Sequence, residues 1–510
     1  MLIVLTIKLL IVFLSLSFIL LVITQLIHYK LKRIHNSIFK NIKTISFVHP
    51  FCADCGGGEK VLWRIVSNLI SSTLEELSSI NTNQPIQKLK INIISGKKDN
   101  VQELLQKLHT RFGIDLGKEH INSNDNNNNF MQANINNKLV IDVELISLKS
   151  GYMLRPQKFL TMFLQILGQI YFGFEIITNV YSDVYCDTSG LPFCYFILKY
   201  FGHAKVTAYT HYPFISYEMI NQVQHNMPGV HSRGTHNKFK LFKDIKIYYY
   251  KLILKLYELM GNKCLSFAYV NSTWTLNHMK ELWRELDKNR KLKILYPPCS
   301  ISLYKEAAKN DQRQNIIISF AQFRPEKRQD MQIRILAKLK EKLNNNYSGF
   351  QDLELHIIGG VRNSDDQKIL DNLINYSKQL GVQDYVKFLP NGSIREILEE
   401  FSKAKIAIHT MIAEHFGITL IEMMAAGLIL VTHNSAGAKD DILVPSEDGT
   451  KPGFLVENED DYVNQIEEIL IRYDDIMRRQ YVPASRKRAE KFSDEAFKEQ
   501  FISELNEFLL

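Results

Sequence analysis

The stretch MIAEHFGITLIEMMAAGLILVTHNSAG (411–437) holds two carboxylates, Glu414 and Glu422, separated by seven residues. Phe416 to Ala426 reads as a short, very apolar helix, ended by Gly427 ahead of a strand. Glu422 therefore sits among residues that should be buried, where an ionised carboxylate is costly unless something is bonded to it. Hydroxyls of a sugar or ribose would satisfy it. Glu414 falls in the loop before the helix, so the two side chains need not share a face and suit two parts of one long ligand. Between them, the helix N-terminus at Gly417, Ile418 and Thr419 offers backbone N–H groups that suit a phosphate. The alternative is architectural: Glu414 caps the helix, and Glu422 is a core residue with an ion-pair partner.

A second constellation is HPFCADCGGGEKVLWRIV (49–66). TISFV (44–48) just before it reads as a buried strand, and Val61, Leu62, Ile65, Val66, Leu69 and Ile70 recur at helical spacing after it. Gly56, Gly57 and Gly58 thus lie in a strand-to-helix turn, where bare backbone can approach a ligand at the carboxyl end of a parallel strand. No Gly-Lys-Ser/Thr follows at P-loop spacing, and the glycine spacing is not that of a dinucleotide fingerprint. A turn needed only for close helix–strand packing is the alternative. Of the six cysteines (52, 55, 186, 194, 264 and 299) only Cys52 and Cys55 are close, and no second pair or Cys/His set completes a zinc site. Free thiols in the turn are expected ahead of a redox pair. Asp440-Asp441 and Asp365-Asp366 lie in loop or helix-start contexts that suit solvated charges.

The elements that must position these residues are most regular in the second half. Strands at 316–320, 353–358, 386–389, 406–409 and 428–432 alternate with helical patterns near 329–343, 365–380, 393–403 and 416–426, the pattern of a parallel α/β sheet. The first half repeats the theme with strands at 44–48, 91–95, 143–147 and 206–210. It is interrupted by an asparagine-rich insertion at 122–137 that reads as a disordered surface segment. Two Rossmann-like domains, 40–298 and 299–510, should meet near LYPPCS (295–300), with the proline pair as a hinge.

At 510 residues the chain accommodates two or three domains, and 45% hydrophobic content supports large cores. A net charge of +8, spread along the chain, is too weak to argue for nucleic acid and fits acidic lipid headgroups or phosphate ligands. LLIVFLSLSFILLVITQLI (9–27) carries no charge and is long enough to cross a bilayer. Lys30, Lys32 and Arg33 follow it whereas only Lys8 precedes it, which predicts an anchor over 1–33 with the bulk of the chain cytosolic. The rival, a cleaved signal peptide, lacks a small-residue cleavage site. The apolar segment 158–177 and the basic, aromatic segment 237–257 read either as a core helix and a solvated helix face or as a membrane-facing surface.

Four separated motifs in one order make the reading specific: HPFCADCGGGEKVLW (49–63), THYPFIS (210–216), AQFRPEK (321–327) and EHFGITLIEMMAAG (414–427). Glu-x7-Glu resembles the donor site of the retaining family-four GT-B glycosyltransferases, and the set together resembles the dolichol-pathway α-1,2-mannosyltransferases. The resemblance covers nearly all the chain after the anchor. It implies an α/β GT-B fold of two Rossmann-like domains facing across a cleft, with an N-terminal transmembrane helix. It further implies GDP-mannose as donor and a dolichol-diphosphate-linked oligosaccharide as acceptor. The setting it implies is the endoplasmic reticulum membrane, with other dolichol-pathway mannosyltransferases as candidate partners and no metal or other cofactor. By resemblance, Glu422 takes the ribose hydroxyls and Glu414 the donor-sugar hydroxyls. Arg324 and Lys327 grip the diphosphate, and Phe416, Gly417, Ile418 and Thr419 line it. His211 faces the donor sugar from the first domain, where Gly56, Gly57 and Gly58 form the loop near the donor phosphate. One departure stands out: the wider family has Gly-Arg-Leu where this chain has Ala321-Gln322-Phe323, so Gln322 occupies the usual arginine position. A related GT-B enzyme with another donor, or a non-catalytic scaffold of the same fold, are the rivals.

Overall fold

The computed structural model describes all residues except 1, 39–41, 55, 80–87, 117–120, 123–129, 136–137, 156–160, 226–239, 308–311, 347–350 and 510. The chain divides into two compact units, one of residues 1–270, 278–293 and 501–510, the other of 271–277 and 294–500.

The first unit is built on nine strands: β1 (Ile42–Val48), β2 (Lys88–Ser95), β3 (Ile121–Asn122), β4 (Phe130–Ile135), β5 (Lys138–Ser147), β6 (Val184–Asp187), β7 (Lys205–Thr210), β8 (Phe267–Val270) and β9 (Leu292–Ile294). Their order is β3-β4-β5-β2-β1-β6-β7-β8-β9, with parallel pairing from β5 through to β8. Residues of both faces of β1 are buried, Thr44 and Ser46 as well as Ile45 and Phe47, as befits a strand covered by helices on either side. Part of the asparagine-rich insertion departs from the expected disorder: Phe130–Ile135 pairs antiparallel with β5. Backbone pairing on both sides, with β5 and with β3, orders that stretch; 123–129 and 136–137 lie outside the described residues.

Leu2–Ile38 is one helix of 37 residues, containing the apolar run 9–27. Its C-terminal part is docked: Gln25 donates to the Phe201 carbonyl at 3.1 Å, His28 Nδ1 lies 2.9 Å from the Ile177 carbonyl, and His35 Nε2 lies 3.0 Å from Thr44 Oγ1. Thr161–Asn179 is long and apolar enough to cross a membrane by length and composition. It buries Ile166, Phe172, Ile176 and Ile177 in the unit while exposing Phe163, Leu164, Leu167 and Tyr171.

The second unit has six strands: β10 (Gln314–Phe320), β11 (Glu354–Gly359), β12 (Val386–Pro390), β13 (Ala404–His409), β14 (Ile429–His433) and β15 (Phe454–Val456). Their order, β12-β11-β10-β13-β14-β15, with all neighbours parallel, is that of a Rossmann sheet. Helices Gln329–Asn346, Ser364–Gln379, Ile394–Lys403 and Ile418–Ala425 fall where the periodicity placed them. The Ile394–Lys403 helix starts on a capping box made by Ser393 and Glu396.

The unit boundary is less simple than a single crossing near 298. Residues 271–277 belong to the second unit, where the Thr273 N–H and hydroxyl donate to Asp441. The last ten residues return to the first, where Phe508 lies 5.0 Å from Tyr269 between ring centroids and Glu504 accepts from the Tyr269 hydroxyl at 2.8 Å. After the proline pair, the Cys299 N–H donates to the Phe492 carbonyl inside the second unit.

Candidate functional site

In the second unit the strand order reverses between β10 and β13, and a doubly wound sheet opens its ligand crevice at the carboxyl ends of such strands. The loop after β10 runs into a 3-10 turn at Pro325–Lys327, and the loop after β13 runs from Thr410 to Gly417. The Thr410 hydroxyl ties the two together, lying 2.8 Å from the Lys327 carbonyl while its oxygen accepts from Gln332 Nε2 at 2.9 Å. Lys327 Nζ is thereby brought 2.5 Å from Glu414 Oε2, and His409 Nε2, at the end of β13, lies 3.0 Å from the same oxygen. Lys327 also reaches Met411 Sδ at 3.2 Å.

The electrostatics of this cluster are opposed. Burial raises the Glu414 carboxyl, but the Lys327 ammonium and the His409 N–H outweigh it and hold the group well below the usual carboxylate range. Burial also dominates at His409 and pushes its pKa down, so at neutral pH the ring is uncharged and must carry its proton on Nε2 to bond an ionised carboxylate.

The backbone around Glu414 is held as firmly as the side chain. Ala413 adopts φ +58°, and its N–H donates to Ser435 Oγ at 3.0 Å. The Glu414 carbonyl accepts from the Gly437 N–H at 3.0 Å. Gly417 precedes the helix at φ +104°, and a Cβ there would come within 2.7 Å of Leu420 and 3.3 Å of Glu414 Cγ, so only glycine fits. Gly417 is the N-cap without any side-chain cap bond, so Glu414 is an ion-paired group beside the helix start and not its cap. Ile418 and Thr419 form the half-buried first turn. Phe416 stacks on Tyr296 and meets Phe492 edge-on, so its ring belongs to the core and only its backbone is left for a ligand.

Glu422 is 7% exposed on the same helix, and it shares a hydrogen bond with the Tyr304 phenol from helix Ile301–Lys305. Burial, reinforced by this carboxylate, raises the Tyr304 pKa well above its ordinary value, so the phenol facing Glu422 is neutral. Arg324 is more open than Lys327, with Nη1 3.9 Å from Glu326. Gln322 accepts from Arg362 Nη2 at 2.7 Å, so a guanidinium from the loop after β11 lies beside it.

In the first unit, Gly56 opens helix Gly57–Ser79 by donating its N–H to Glu59 Oε2 at 2.7 Å. Burial opposes the ionised form of Glu59, yet bonds from His49 and the backbone bring its pKa down. His49 Nδ1 lies 2.8 Å from Thr188 Oγ1, joining the loops that follow β1 and β6 at that sheet's own reversal point. His211 comes from the end of β7, its ring 4.9 Å from Tyr209, and a Cβ on Gly58 would lie 3.2 Å from His211 Nε2. Glycine at 58 therefore makes room for the imidazole. Cys52 is buried and its thiol is pushed up to about 12 by burial, which argues against redox use; Cys55 lies outside the described residues.

The aspartate pairs depart from expectation. Asp441 is 1% exposed and accepts from Thr273 and from the Tyr296 hydroxyl at 2.9 Å, binding the 271–277 segment into the second unit. Asp366 is buried and accepts from the Arg362 N–H at 3.0 Å, while Asp365 remains solvated. Distant Thr273 and Tyr296 turned Asp441 inward, whereas Asp366 is held by its own helix start. His409, Thr410, Ser435 and Arg362 were not singled out from the sequence; a histidine closing an apolar strand five residues before Glu414 was the one available signal.

Two Rossmann units of this topology define a GT-B glycosyltransferase. Solved structures share the fold: HepE of Anabaena in complex with UDP and glucose (TM-score 0.56, 16% identity, 91% of this chain and 99% of that one), and the sucrose-phosphate synthase of Thermosynechococcus elongatus (TM-score 0.57, 13% identity, 91% and 98%). Residues 42–283 match the family described as ALG11 mannosyltransferase N-terminus, and 301–488 match glycosyl transferases group 1. The chain belongs to the family of GDP-Man:Man(3)GlcNAc(2)-PP-Dol α-1,2-mannosyltransferases. It is 34% identical to the human protein of that name over 91% of this chain and 87% of that one. With the Dictyostelium discoideum protein it shares 32% identity over 90% and 83%.

Proposed function

We propose that this enzyme moves mannose from GDP-mannose, with retention of configuration, onto a dolichol-diphosphate-linked oligosaccharide at the cytosolic face of the endoplasmic reticulum membrane. It adds the fourth and fifth mannoses in α-1,2 linkage. The names of the relatives, which contain GDP-Man and Man(3)GlcNAc(2)-PP-Dol, support this donor and acceptor. The observation within the chain that carries the reading is the Lys327–Glu414 pair at the reversal point of the second sheet, beside a helix N-terminus.

In the reaction, the bond from mannose C1 to the GDP β-phosphate oxygen breaks and a bond from C1 to an acceptor hydroxyl oxygen forms on the same face. The acceptor proton passes to the departing phosphate. Lys327, with Arg324, takes charge developing on the diphosphate, and the N–H groups at Gly417, Ile418 and Thr419 add donors along the helix axis. Glu414 accepts from the mannose hydroxyls, and Glu422 exchanges its bond to Tyr304 for the ribose hydroxyls. Gly56, Gly57 and Gly58 with His211 are the first unit's candidates for the donor phosphate and sugar. No metal is required on this account, since cationic side chains and backbone donors neutralise the diphosphate.

Detergent-purified enzyme given GDP-mannose and the dolichol-linked acceptor should lengthen it by two hexoses, and should do so equally in EDTA. A product lengthened from another nucleotide sugar would overturn the donor assignment. Loss in EDTA that magnesium or manganese restores would overturn the metal-free one.

A further inference from the structure

Resting on that donor-site reading, we infer that His409 is a positioning residue that holds Glu414 in place while Lys327 leaves it for the donor diphosphate. In the structure Lys327 and His409 both bond Oε2 of Glu414, at 2.5 and 3.0 Å, so the cation that should grip phosphate is occupied by the carboxylate that should grip sugar. Donor binding must loosen that pair. Once the ammonium turns to the diphosphate, a mostly buried carboxylate with no other donor would rotate toward solvent or take up a proton.

His409 prevents both. Its side chain is 2% exposed, its carbonyl is clamped by the Tyr462 hydroxyl at 2.7 Å, and it belongs to the central strand β13, so it cannot follow Lys327. Burial keeps its ring uncharged at neutral pH. An Nε2–H donor of this kind favours the ionised carboxylate without competing with Lys327 or a hydroxyl for charge. The titratable groups acting on its ring are Glu414 and Lys327, and the Tyr462 phenol faces its carbonyl.

The test uses the full chain in detergent, with His409→Leu, which removes the donor, His409→Gln, which keeps an N–H near the Nε2 position, and Glu414→Gln alongside. His409→Leu should lower kcat at least about tenfold, leave GDP affinity within about twofold and move the acid limb of the kcat/KM profile to higher pH. His409→Gln should recover most of the rate. A leucine variant whose folded fraction, counted by calorimetric GDP titration, turns over within twofold of wild type sinks the inference. So does a glutamine variant no better than leucine. Should Glu414→Gln itself retain full turnover, the donor-site reading falls and this inference with it; loss at Glu414 with none at His409 removes the inference alone.

Discussion

At Glu414 and Glu422 the same functional group meets two surroundings, a cation in one case and a phenol in the other. Glu422→Ala should weaken GDP and GDP-mannose alike, because both carry the ribose, whereas Glu414→Gln should leave GDP affinity nearly intact. Turnover in Glu414→Gln should fall by about 2–4 kcal/mol of transition-state stabilisation, the scale of a lost preorganised contact. Calorimetric titration of GDP into each folded variant reads this directly, and wild-type affinity in Glu422→Ala would remove the ribose assignment. Lys327 has two duties that a double variant separates. Lys327→Ala should lower the rate by roughly a hundredfold and also lower the melting temperature, since it strips a mostly buried carboxylate of its cation. Lys327→Met combined with Glu414→Gln should restore the melting temperature but not the rate. Recovery of both would make the pair purely architectural.

At the scale of elements, the strands β11 and β12 and helix Ile394–Lys403 are joined by a charge cluster in which His356 and Glu400 are buried and Glu354 and Lys387 are half-exposed. His356 Nδ1 lies 2.5 Å from Glu400 and Nε2 2.7 Å from Glu354, and Lys387 Nζ lies 2.7 Å from Glu400. Burial works against the Glu400 carboxylate, but Lys387 and His356 prevail and its pKa is lowered. A carboxyl whose folded pKa lies below its unfolded value of about 4.3 contributes stability that is complete above that value. The contribution is lost as pH falls through the folded pKa. Glu400→Gln should therefore melt below wild type near neutrality, with the gap closing as the pH is taken down through the carboxylate range. A gap independent of pH would show that packing, not charge, holds the helix to the sheet.

Over the whole molecule, the first unit concentrates exposed apolar side chains on three helices: Phe18, Leu20 and Leu26 on Leu2–Ile38, Phe163, Leu164, Leu167 and Tyr171 on Thr161–Asn179, and Ile245, Tyr248, Leu252, Leu256 and Leu259 on Lys240–Cys264. The last set recurs every three or four residues, so among the described residues it forms one exposed apolar helix face. Interleaved lysines suit an anionic lipid surface. With the basic flank Lys30, Lys32 and Arg33 after the apolar run, a single pass with cytosolic units is expected. Protease added outside sealed microsomes should digest everything after the anchor, and full protection of the chain beyond Arg33 would reverse the topology.

Periodicity alone determined where most strands and helices of the second unit begin and end, because a buried parallel strand and an amphipathic helix each impose their own repeat on the residues. It also picked out Glu422 and the glycine turn, since a carboxylate in an apolar helix and three adjacent glycines are costly and call for a reason; Glu414 followed from its place in the loop before that helix, and Lys327 from the family resemblance alone. Short strands such as β6, β8 and β15 carry too few residues to show a repeat, and the strand within the asparagine-rich stretch is defined by its pairing with β5. Pairing between distant segments is likewise what turned Asp441 inward and brought Arg362 to Gln322. It also set Lys327 and His409 on one oxygen of Glu414. Those contacts join residues tens to hundreds of positions apart or on opposite sides of a loop, and their energies depend on burial and distance, which exist only once the two sheets are formed.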